Sequence, residues 1–129
     1  KAVPQVPAGV DPLLLDAFRA AVRAKIARDL DDERERSEER RRRVLPQLAH
    51  GLAAARSEGL CGAAWLFGSY ACGSPSERSD VDLLVEGCSD PARVAAIVGR
   101  ATGTDVHVID TSDAPESLAR RAREEGISM

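Results

Sequence analysis

A chain of 129 residues, 43% of them hydrophobic, is long enough for one domain with its own core. No apolar run approaches the roughly 20 residues of a membrane span, and no segment reads as a secretion signal, so a cytoplasmic setting is expected. Net charge is −3 but unevenly divided: residues 59–129 carry six Lys/Arg against eleven Asp/Glu, a poor surface for a nucleic-acid backbone and a reasonable host for a divalent cation.

Residues 1–10 are rich in Pro and Gly and read as a tail. Asp11-Pro12 then has the form of an N-cap followed by proline at the first helical position. Leu14, Phe18, Val22, Ile26 and Leu30 recur every four residues, the mark of an amphipathic helix. From Asp31 to Arg43 every residue but Ser37 is charged, six acids against six arginines. Acid-before-base pairs at i,i+4, such as Asp32–Arg36 and Glu38–Arg42, make this run a solvated continuation of the helix. Pro46 is expected to kink that helix or to start a new one, which Leu45, Leu48, Leu52 and Ala55 line and Gly59 ends.

Cys61–Phe67 reads as a short apolar strand. A turn follows at Gly68, with a short helix from Ser69 and a polar loop to Ser79, before a second strand from about Asp80 to Val85. Asp90-Pro91 opens a helix to about Ala101, and Thr104–Ile109 is a third strand. Asp113 and Glu116 form a D-x-x-E capping box for a last helix ending near Glu125. From residue 44 on, this order makes a small α/β layer structure. Cys61, Cys72 and Cys88 are odd in number and form no C-x-x-C pair, so they are expected as reduced thiols.

The chemistry concentrates in LFGSYACGSPSERSDVDLLV, Leu66 to Val85. In a strand Asp80 and Asp82 point to the same face, roughly 7 Å apart, while Val81, Leu83 and Val85 enter the core. Two such carboxylates repel unless a cation lies between them; Mg²⁺ takes carboxylate oxygens and keeps positions for phosphates. Upstream, Gly68 permits close backbone approach to a ligand, and Ser69 starts a turn suited to phosphate oxygens. On the third strand Asp105 and His107 share a face. Asp105 is the candidate third acid, as metal ligand and general base; His107 reads as a partly buried strand histidine, with a substrate contact or proton acceptor as the alternative; Arg78 is a loop arginine within reach of a phosphate.

Gly-Ser, ten residues, then Asp-x-Asp, with TDVHVID further on, resembles the minimal nucleotidyltransferases of the DNA polymerase β superfamily. The resemblance covers residues 44–129, with 11–43 as a helical extension and 1–10 as the tail. It implies a mixed β-sheet with flanking helices, Mg²⁺ (two ions) and ATP. It places Gly68 and Ser69 at the triphosphate, Asp80 and Asp82 on metal, and Asp105 on metal and the acceptor hydroxyl. Members of this size are often antitoxins of HEPN-domain ribonuclease toxins, and some transfer AMP from ATP to a toxin tyrosine. Cys72 stands where the family commonly has arginine. The alternatives are an antitoxin acting by contact alone and a small-molecule nucleotidyltransferase. The apolar stripe of the extension needs a partner surface, either the toxin or a second copy of the chain.

Overall fold

The computed structural model describes Gly9 and residues 11–129, so the tail expected over residues 1–10 lies, Gly9 apart, outside the described residues. Helix α1 spans Pro12–Ser57. It is followed by β1 (Ala64–Phe67), α2 (Ser69–Cys72), β2 (Val81–Val85), α3 (Pro91–Thr102), β3 (Val106–Asp110), α4 (Glu116–Glu125) and β4 (Ile127–Ser128). By its internal contacts the chain divides into two units, Lys1–Glu35 and Arg36–Met129.

In the first unit the α1 residues carry the expected stripe on a bare surface: Leu14, Phe18, Ile26 and Leu30 are all exposed. In the second unit Pro46 neither ends nor restarts the helix, contrary to expectation. Pro46 and Arg42, whose carbonyl loses its i+4 donor there, are both exposed, so the orphaned oxygen belongs to the solvent-facing side of the helix. The charged run is helical as expected, yet it is not wholly solvated. Ser37 is buried and its hydroxyl donates to the Pro75 carbonyl at 2.9 Å.

The sheet has the order β3-β2-β1-β4. β2 runs parallel to β3 and antiparallel to β1, and β1 pairs antiparallel with β4, a strand the sequence pattern did not reveal. Alternation along β2 sorts its side chains between two layers. Val81, Leu83 and Val85 pack with Val44, Leu48 and Leu52 of α1 and with Val94 and Val98 of α3. Each such fully buried side chain contributes about 1.5–3 kcal/mol. Leu84 faces the other way, against Ala119 and Ala122 of α4. Asp80 and Asp82 therefore emerge on the α4 face, at the end of the sheet where β2 and β3 begin and β1 stops.

The element starts follow their local chemistry with one exception. Asp90 caps α3 by accepting from Arg93 N at 3.1 Å, and Gly103 closes it in the left-handed region at φ 70°. The D-x-x-E box of α4 does not form: Pro115 occupies the N-cap and no side chain caps it. Asp113 is two residues too early, because Asp113 N and Ala114 N both donate to the Asp110 carbonyl. The carboxylate that organises this corner is Asp110, buried at the end of β3, which accepts from Cys88 N at 2.7 Å, Ser112 N at 2.9 Å and the Ser112 hydroxyl.

Those hydrogen bonds, led by the Ser112 hydroxyl, hold the Asp110 carboxyl below its ordinary value. A carboxylate depressed in the native state adds stability above its unfolded pKa, about 3.9, and loses it as pH falls through the folded value. Asp110→Asn is therefore expected to lower the urea midpoint at pH 7. Its difference from the parent chain should close in unfolding titrations carried to a pH below the folded value of that carboxyl.

Candidate active site

The site begins with a crowded carboxylate. Asp82 lies opposite Phe67 on one side and His107 on the other. His107 Nε2 is 3.4 Å from Asp80 Oδ2, and its Nδ1 is 3.8 Å from Asp82 Oδ1. The imidazole thus stands between the two acids. Burial pushes the Asp82 carboxyl up; His107 opposes that rise and Asp80 adds to it. A partly desolvated carboxylate beside a second one is an arrangement a cation would relieve.

Gly68 supports Asp82 from the β1 side. It has φ 77° and ψ −155°, a region essentially confined to glycine. A Cβ added there would lie 2.5 Å from Asp82 Oδ2. The turn that opens at Gly68 therefore touches the carboxylate pair directly. Its backbone then closes a single helical turn, with Ala71 N and Cys72 N donating to the Gly68 carbonyl at 3.1 and 3.0 Å.

Two cavities open beside these residues. One, of about 410 Å³, is walled by Gly68, Ser69 and Cys72 on the turn side and by Arg121 and Glu125 of α4. The other, of about 900 Å³, is walled by Arg40, Arg43, Arg78, Asp80, Asp105 and His107.

Residues 53–125, more than half of the chain, match the family described as "Nucleotidyltransferase domain". The chain belongs to this family. Among curated proteins nothing matches it. Three solved structures resemble this nucleotidyltransferase. A minimal nucleotidyltransferase is 26% identical over 65% of this chain and 90% of its own, with a TM-score of 0.55. A mutant of the toxin–antitoxin pair MntA-HpeT is 20% identical over 63% of this chain and 70% of its own, with a TM-score of 0.53. A toxin–antitoxin with AMP-PNP is 22% identical over 61% and 69%, with a TM-score of 0.51. At those identities the last two share the fold.

Within this nucleotidyltransferase the residues singled out in the sequence separate into two groups. Gly68, Ser69, Asp80 and Asp82 lie together, Gly68 against Asp82. Asp105 precedes β3; its carbonyl accepts from Val81 N at 2.9 Å and it borders the larger cavity. The parallel register sets Asp82 opposite His107, so the imidazole and not Asp105 stands against the pair. Among the described residues no group of three or more His, Cys, Asp or Glu side chains is placed to hold a metal ion, so the expected triad of Asp80, Asp82 and Asp105 is not preassembled. His107, read from the sequence as a partly buried strand residue, is in fact exposed. Alternation placed Asp105 and His107 on one face; only the register could choose between them. Arg78 is exposed on the wall of the larger cavity, away from the one bounded by Gly68 and Ser69. Cys72 carries no charge into the smaller cavity, and its thiol donates to the Glu125 carbonyl at 3.2 Å.

One residue of the charged run takes part in the site without a sequence signal. The Arg41 guanidinium donates to the carbonyls of Tyr70 (3.1 Å), Ser69 (3.4 Å) and Gly73, and to Glu38 at 3.2 Å. A one-turn helix does not hold itself, and its last carbonyls lack intrahelical donors. Arg41 supplies them, with a positive charge at the helix's negative end. Arg41→Ala is expected to cost about 1–3 kcal/mol in urea unfolding. Arg41→Lys should recover less than half of that, since one ammonium does not span three carbonyls in a planar fork.

Proposed function

We propose that this nucleotidyltransferase moves AMP from ATP onto a hydroxyl of a protein partner, as the antitoxin of a pair whose toxin is a HEPN-type ribonuclease acting in the cytoplasm. The observation that carries the reading is the contact between the Gly68 turn and Asp82, beside Asp80. The toxin–antitoxin setting rests on the two structural relatives so described.

Asp80 and Asp82 fit a hard divalent cation: two carboxylates on one face, one of them raised by burial and by its neighbour. Mg²⁺ is commonly held by one or two carboxylates with phosphates and water completing the shell. When bound, it supplies charge neutralisation at the phosphates. The turn at Gly68 and Ser69 receives the triphosphate, with Arg41 holding that turn in shape. The acceptor oxygen attacks the α-phosphorus, the bond to the bridging oxygen breaks, and pyrophosphate leaves. The hydroxyl proton passes to a base on the wall of the larger cavity, where Asp105 and His107 are the placed groups.

A contact-only antitoxin is the second reading, favoured by Cys72 and by His107 standing where a third carboxylate was expected. Incubation with labelled ATP, Mg²⁺ and the protein encoded beside this chain separates the two. Label on the partner supports transfer. Neutralisation of the partner with no label incorporated, and unaffected by Asp80→Ala, leaves only contact.

A further inference from the structure

The larger cavity has no role yet beyond proton acceptance, and its charges are unusual for a chain whose second half is acidic. Three arginines reach it, two from α1 and one from the loop before β2. Arg40 is already engaged: its side chain is 16% exposed, it donates to the Pro75 carbonyl at 3.3 Å, and it lies 4.0 Å from Glu77. Arg43 and Arg78 are exposed and form no ion pair among the described residues. The Tyr70 phenol lies near them too: burial raises it, while Arg40 and Arg43 pull it down and Asp80 pushes it up. Arg43 and Arg78 are thus held beside the carboxylate pair without an ion-pair partner among the described residues, although Glu77, Asp80 and Asp105 line the same cavity.

Position decides which ligand they meet. The larger cavity borders Asp80 and His107, and the smaller one borders the Gly68 turn, whose first residue stands against Asp82. In an in-line displacement the attacking and leaving oxygens lie on opposite sides of the phosphorus. With the triphosphate on the Gly68 turn, the nucleophile must arrive from the side of His107, Arg43 and Arg78. Resting on the transferase reading, we infer that this groove binds the acceptor, and that the acceptor hydroxyl sits in a polypeptide segment bearing carboxylates. A nucleic acid is the less suitable occupant. It presents an unbroken row of phosphates, whereas here Glu77 and Asp105 interrupt the arginines.

The probe is a fluorescent random copolymer of glutamate and tyrosine, with a lysine–tyrosine copolymer as its opposite. Full-length chain is expected to bind the acidic copolymer, less so as salt rises, and to ignore the basic one. Arg43→Glu and Arg78→Glu, both on exposed side chains, should together weaken that binding about tenfold or more. Binding of a non-hydrolysable ATP analogue with Mg²⁺ should stay within about twofold, because electrostatic losses at one rim act on the ligand that rim meets. If the ATP analogue is lost in step with the copolymer, the arginines hold the triphosphate and the inference falls. It also falls if both copolymers bind alike, or if a short RNA displaces the acidic copolymer through the same arginines. Arginine-dependent copolymer binding by a chain that never transfers label upholds the groove and sinks the transferase reading. Label transfer to the partner that both charge reversals leave unchanged does the opposite.

Discussion

If the proposed transfer holds, replacing Asp82 by Asn is expected to leave the chain folded and to lower AMP transfer by about a hundredfold or more. A carboxylate that holds a metal at phosphates carries several kcal/mol of transition-state charge stabilisation, and each 1.4 kcal/mol is about a decade in rate. The stability of the variant should move the other way. Burial and Asp80 raise the Asp82 carboxyl, so its ionised form is disfavoured in the native state. A carboxylate raised on folding costs stability as pH climbs past its unfolded value, about 3.9, toward its folded one. Asp82→Asn is therefore expected to unfold at a higher temperature than the parent above that window, in metal-free buffer, and to match it well below. A variant that is no more stable and still transfers label would show that Asp82 serves neither metal nor substrate. Opposite pH signatures at Asp82 and Asp110 in one small domain would separate a carboxylate held against its own ionisation from one held by hydrogen bonds for structure.

Gly68→Ala is the second large effect. A residue other than glycine at φ 77° and ψ −155° is strained by about 1–3 kcal/mol wherever there is room for its side chain. Here there is none, since the new methyl would lie 2.5 Å from Asp82 Oδ2. Relief requires the Asp82 carboxylate to swing away or the turn to lift off the sheet. Either change separates the Gly68 turn from the carboxylates. The expected result is a loss of transfer comparable to that of Asp82→Asn, accompanied by a lower unfolding midpoint instead of a higher one. Measuring both quantities on both variants distinguishes a displaced carboxylate from a missing one.

Much of this arrangement was legible in the residues. The alternation Asp80, Asp82 against Val81, Leu83, Val85 gave the two faces of β2, and the Gly68-Ser69 turn gave the second half of the site, because both are local. What depends on contacts between distant segments was not legible. The choice of His107 over Asp105 rests on the parallel register of β2 and β3, which one strand's periodicity does not encode. β4, two residues long, is too short for any pattern. Arg41 was hidden among charges whose i,i+4 pairing already explained them, and only the approach of the Gly68–Gly73 turn shows what its guanidinium does. Asp113 misled because a capping box depends on which residue occupies the N-cap, and Asp110 had already drawn the preceding backbone into a tighter turn.

The span shared with the family begins at residue 53, yet three of the leucines and valines that seal the inner face of the sheet, Val44, Leu48 and Leu52, come before it. Arg41, which braces the turn after Gly68, comes earlier still. The portion recognisable by descent and the portion able to fold are thus different lengths of the same polypeptide. An expression fragment cut at the edge of the shared span would expose Leu66, Leu83 and Val94 to water, and it would be insoluble for reasons unrelated to its catalytic residues.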